Sequence, residues 1–155
     1  MKTTPQTSRR VRTAAITLLG SLMLGSLTGC QLFSEKLTAE PGPVYPEAMP
    51  HGEVFDVQVF REVAELRFTN STPIDFGPST VWLNKRFSQP IAGIASGETV
   101  TMDLRLFVDQ WGETFRAGGF YAQRDPSPVV LVELETGEAA EQILHGFVIV
   151  ENIYN

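Results

Sequence analysis

The chain reads as an all-β protein, and two features of the sequence carry that reading. Apolar and polar residues alternate with period two in short stretches, which is the mark of strands with one wet face. Turn signals separate those stretches every eight to twelve residues. Seven or eight strands are expected. The spacing favours an antiparallel β-sandwich of immunoglobulin or fibronectin type, with a small closed β-barrel as the alternative.

The strands follow in order. Phe55, Val57 and Val59 alternate with Asp56 and Gln58; Ala64, Leu66 and Phe68 alternate with Glu65, Arg67 and Thr69. The phase changes between these runs, so a tight turn or bulge is expected near Arg61-Glu62. Asn70-Ser71-Thr72-Pro73 and Phe76-Gly77-Pro78 are turns. Thr80 to Arg86 reads as a third strand, with Trp82 filling the core between sheets. Phe87 to Ile94 is a loop or short edge strand, broken by Pro90 and Gly93. Val100, Met102, Leu104 and Leu106 share one side of the most regular strand. Phe107 to Thr114 reads as an irregular connection with one helical turn, and Phe115 to Gln123 as extended but bent at Gly118-Gly119. Val129 to Glu135 and Ile143 to Glu151 are the last strands. An open edge is expected around Pro90 or at the first strand.

Ahead of this domain lies a segment of another kind. Lys2, Arg9, Arg10 and Arg12 precede an apolar run from Ala14 to Leu27. That is the layout of a secretory signal, and the run is too short for a comfortable membrane span. Ser8-Arg9-Arg10 lacks the apolar residues that follow a twin-arginine signal. The run ends in Leu27-Thr28-Gly29-Cys30. This tetrad resembles the lipobox of bacterial lipoproteins. The resemblance covers the leader alone. It implies cleavage between Gly29 and Cys30, with lipid on the Cys30 thiol and an acyl chain, such as palmitate, on the new amino group. Gln31, where Asp would mark inner-membrane retention, points to the outer membrane of the cell envelope. Two or three acyl chains make attachment effectively permanent, at about 0.8 kcal/mol per buried methylene.

The expected organisation is therefore a signal peptide at 1–29, a lipidated Cys and Pro-rich tether at 30–50, and a β-sandwich domain at 51–155. Pro41, Pro43, Pro46 and Pro50 favour extended chain in the tether. The alternative is a segment folded back on the domain around Val44 and Tyr45. Cys30 is the only cysteine, so no intrachain disulfide and no cysteine-based metal site can form. Beyond residue 29 there are 8 Lys and Arg against 18 Asp and Glu, a net charge of −10. Such a surface repels nucleic acid, so no nucleic-acid partner is expected.

Few residues suggest chemistry. His51 and His145 stand apart, and no metal site is expected from them. No Gly-x-Ser-x-Gly elbow and no phosphate-cradling Gly loop occurs, so no cofactor is expected. Glu133 and Glu135 share a strand face, and Asp103, Asp109 and Glu113 bracket a loop; solvated surface accounts for both groups. Trp111, in a polar loop beside Gly112, and Tyr121 are the candidate ligand-binding residues, as a flat platform for sugar rings. The expected function is a non-enzymatic binding or assembly module of the envelope, with glycan or cell-wall binding as the alternative. A carboxylate-based hydrolase using Glu133 and Glu135 ranks last.

Overall fold

The computed structural model describes residues 39–120, 122–138 and 141–150. The expected signal peptide, the expected cleavage site at Gly29-Cys30 and the candidate Tyr121 lie outside the described residues. No α-helix occurs among the described residues, and none of them forms a helix long and apolar enough to cross a membrane.

Seven strands form one mixed sheet. They are β1 (His51–Glu62), β2 (Glu65–Thr69), β3 (Ser79–Leu83), β4 (Phe87–Ile91), β5 (Thr99–Asp103), β6 (Val132–Thr136) and β7 (Ile143–Val150). Their order across the sheet is β4-β3-β6-β7-β1-β2-β5. All pairs are antiparallel except β1 with β7, which run parallel. The purely antiparallel expectation is corrected at that pair. The first strand is correspondingly not an edge but lies inside the sheet.

β1 organises the sheet. Its residues from His51 to Phe60 pair with β7, and its residues from Val59 to Glu62 pair with β2. The two arms of the sheet meet at Val59 and Phe60 and curl so that they share a core. Val57 and Val59 of β1, Leu66 and Phe68 of β2, Val81 and Leu83 of β3, Met102 of β5, and Val132 and Leu134 of β6 all bury their side chains in one cluster. The Phe68 and Phe147 rings lie 5.4 Å apart within it. This is the period-two pattern seen in the sequence, turned inward.

The connections follow local chemistry. β1 turns into β2 through Val63-Ala64, just beyond the expected turn, with Val63 at φ +49. β3 turns into β4 through Asn84 and Lys85 at φ +53 and +55, closed by the Arg86 amide donating to the Leu83 carbonyl at 3.0 Å. Two positive φ angles at the centre define a type I′ hairpin turn. β4 is the short edge strand anticipated around Pro90. Its outer side is closed by Ser88 and Val108, which exchange backbone hydrogen bonds of 3.0 and 3.1 Å. β5 ends earlier than the alternation suggests. Asp103 accepts the Arg105 amide at 2.9 Å and starts a 3-10 turn over Leu104–Leu106, which leaves Leu104 buried and Leu106 exposed.

Trp82 is buried, but on the other face of the sheet. Val81 and Leu83 point into the main core, so Trp82 points away from it. There it meets Tyr45, Met49 and Leu144. From Ala39 onward the Pro-rich segment takes its folded-back alternative: Tyr45 is buried, and its ring meets Trp82 edge-on at 5.3 Å.

Candidate functional site

Asp109 builds the loop that carries Trp111. It is fully buried, and its Oδ1 accepts the Trp111 amide at 2.9 Å and the Glu113 amide at 2.8 Å. A short side chain taking amides further along the chain is the physical basis of the Asx turn. The Gly112 amide donates to the Asp109 carbonyl at 3.0 Å, with Gly112 at φ +78. The loop is therefore fixed from inside by one carboxylate.

Arg86 completes it. From the end of the β3–β4 turn its Nε and Nη2 donate to Asp109 Oδ2 at 2.9 and 2.6 Å, and Nη2 reaches Glu113 at 2.5 Å. The guanidinium lies 5.5 Å from the centre of the Trp111 ring and 4.9 Å from that of Phe87. Burial pushes the Asp109 carboxyl up, but the bonds from Arg86 and from the Glu113 and Trp111 amides outweigh it and hold it below the usual carboxylate range. A buried carboxylate this well paired stays ionised and orders the loop.

Trp111 itself stays 64% exposed. It forms one wall of a cleft of about 760 Å³. Val44, Pro46 and Ala48 supply further apolar wall; Glu47, Lys85, Arg86 and Gln110 supply donors and acceptors. Val44 is 68% exposed. An apolar floor with a few convergent polar groups is the ordinary make-up of a ligand site.

The docked segment supplies Val44 to Ala48 to the lining, and hydrogen bonds at three of its residues hold it. The Gly42 amide donates to the Asp109 carbonyl at 2.8 Å. A Cβ on Gly42 would stand 2.8 Å from the Val108 carbonyl oxygen, so only glycine allows this approach. The Tyr45 hydroxyl donates to Glu133 Oε2 at 2.8 Å, and the Leu144 amide to the Pro50 carbonyl at 3.0 Å. Burial, and then the bond to Glu133, push the Tyr45 hydroxyl well above the usual phenol range. Lys85 Nζ sits 5.8 Å from the Tyr45 ring centre, at the cleft margin.

Glu133 and Glu135 share the outer face of β6, as expected, but Glu133 is buried rather than solvated. His51 opens β1 and sets its Nδ1 3.4 Å from Glu133 Oε1. Glu135 accepts from Trp82 Nε1 at 2.6 Å and from Gln142 Nε2 at 3.1 Å. His145 faces the other way, with its ring 4.8 Å from that of Phe55. Asp103 pairs with Arg105 beside the 3-10 turn and takes no part in the Trp111 loop. Among the described residues no cluster of His, Cys, Asp and Glu could hold a metal ion.

Tyr121 cannot be joined to this site, since it lies outside the described residues. Sequence reasoning missed Arg86 and Lys85, and gave the docked segment only as the alternative to a free tether. The available signals were Val44, Tyr45 and Met49 as apolar residues within the Pro-rich run, and Asp109 placed two residues before Trp111. No protein-family model, no curated protein and no solved structure matches the chain.

Proposed function

We propose that the chain is a lipid-anchored module of the bacterial envelope that binds a saccharide through the Trp111 cleft and does not transform it. The observation that carries this reading is an exposed indole on a loop held by the buried Asp109 carboxylate at the edge of a cleft. A pyranose ring has an apolar C–H face and a rim of hydroxyls. Trp111 offers an apolar platform for the first; Glu47, Lys85, Arg86 and Gln110 offer hydrogen bonds to the second. The binding role draws support from Glu133 and Glu135, whose oxygens serve the docked segment and Trp82.

The rest of the reading rests on the leader. The lipobox-like Leu27-Thr28-Gly29-Cys30 supports cleavage, lipid on Cys30 and membrane attachment, and Gln31 favours the outer membrane. The single curled sheet is closer to the small-barrel alternative than to a two-sheet immunoglobulin sandwich, and we read it as a half-barrel. Support comes from the division of β1 between β7 and β2, and from the core contributed by both arms.

The test is co-sedimentation of the full chain with envelope saccharides, polymeric and lipid-linked. Trp111→Ala is expected to lose more than tenfold in binding while keeping its unfolding midpoint; unchanged binding contradicts the reading. A second reading is a protein partner added at β5. That strand has no neighbour on its outer side among the described residues, which leaves a row of backbone groups open to strand addition. A near-equal protein partner after crosslinking, lost on substituting Thr101 by Pro, favours that reading.

A further inference from the structure

The docked segment limits how far the cleft can stand from the anchor. Were residues 31–50 free, extended chain at about 3.1 Å per residue would carry the domain roughly 60 Å away. But residues from Ala39 are seated on the domain, and nine residue steps separate Cys30 from Ala39. At about 3.3–3.6 Å per step they reach roughly 30 Å at most.

The place where the seated chain begins matters equally. Gly112 follows Trp111, and a Cβ there would stand 2.5 Å from the Ala39 carbonyl oxygen. The chain toward Cys30 therefore leaves the domain beside the Trp111 loop. Whatever way the domain turns, that loop is the part whose distance from Cys30 is most tightly bounded. Val44 and Trp111, both well exposed, lie at this end, together with Lys85 and Arg86. Arg86 is already neutralised by Asp109 and Glu113, so the hydrogen-bonding rim of Glu47, Lys85 and Gln110, rather than net charge, is what this end offers a headgroup.

We propose that the saccharide taken by the Trp111 cleft is the sugar headgroup of a lipid in the membrane that holds Cys30. This rests on the saccharide reading and on the anchor. The short reach gives the cleft a high effective concentration of headgroups in its own membrane. A wall polymer beyond that reach gains nothing from the arrangement.

The test uses the full chain in native membranes, with a photo-crosslinking residue in place of Val44. The expected adduct partitions into organic solvent and is shortened by glycosidases. Inserting about twenty Gly and Ser residues between Ser34 and Glu35 lengthens the tether roughly threefold, and the lipid adduct is expected to fall about fivefold by the −3/2 power of length. Affinity of the same variant for a soluble sugar mimic stays unchanged. A water-soluble polysaccharide adduct, indifferent to the insertion, overturns the headgroup proposal and leaves the saccharide reading standing. An adduct to sugar-free phospholipid also overturns the proposal. No saccharide adduct of either kind overturns both.

Discussion

The Asp109 carboxylate takes the Trp111 backbone amide at 2.9 Å from a fully buried position, so the exposed indole is placed by a side chain that solvent never touches. The same carboxylate takes Arg86, and Arg86 stacks near the indole. The stability of the loop and the placement of the indole are thus joined at one residue.

Asp109→Ala removes the buried acceptor of two amides and of the Arg86 Nε, while Arg86 keeps Glu113. A loss of about 2 kcal/mol in unfolding free energy is expected, chiefly from the two loop amides left without an acceptor, since the exposed Arg86 side is screened by solvent. Urea unfolding measures it. Arg86→Ala strands the buried carboxylate and is expected to cost a similar amount, with the double variant far from additive.

Acid weakens the fold through the same group. The Asp109 carboxyl lies below the usual range in the folded chain, because its bonds to Arg86 and to the loop amides outweigh burial. Asp103, lowered chiefly by its bond to Arg105, acts in the same sense. The unfolded chain then binds protons first, so stability is fully present above about pH 4 and falls as pH drops through the lower folded value. Unfolding midpoints between about pH 6 and 2 show the slope. Asp109→Asn is expected to flatten it; an unchanged slope places the acid sensitivity elsewhere.

Gly112→Ala sets a methyl against the Ala39 carbonyl and forces alanine to φ +78. A cost of about 1–2 kcal/mol for the left-handed backbone is expected. The first residues of the docked segment come away, and limited proteolysis there speeds up while the sheet survives. Unchanged cleavage contradicts the clamp.

Lys85→Gly separates fold from binding. Lys85 holds φ +55 at the second central position of the type I′ turn, where glycine is favoured. Relief of about 1 kcal/mol is expected. The same change removes a cation from the cleft margin. A raised unfolding midpoint with weaker ligand binding is the expected pair of results.

Much of the fold was legible because strand alternation is local. β1, β2 and β5 follow the apolar positions Val57 to Val59, Leu66 to Phe68 and Val100 to Met102. The pairing of β1 with β7 was not legible, since it joins His51 to Leu144 across most of the domain. The β3–β4 turn escaped notice because Asn84-Lys85 takes a glycine-like backbone without a glycine. Trp82 is expected in the core between sheets but is buried on the other face, because Tyr45, thirty-seven residues earlier, covers that side. For the site, Trp111 stood out as an aromatic residue in a polar loop. Its support did not, because Arg86 reaches Asp109 across 23 residues of sequence.

The most direct measurement is acrylamide quenching of tryptophan emission with and without envelope saccharides. The two tryptophans supply their own control, since Trp82 is 1% exposed and Trp111 is 64% exposed. A saccharide seated in the cleft is expected to shield the quenchable component, and Trp111→Phe to abolish both that component and its shielding. Quenching of Trp111 that no saccharide changes would contradict the cleft as the binding surface.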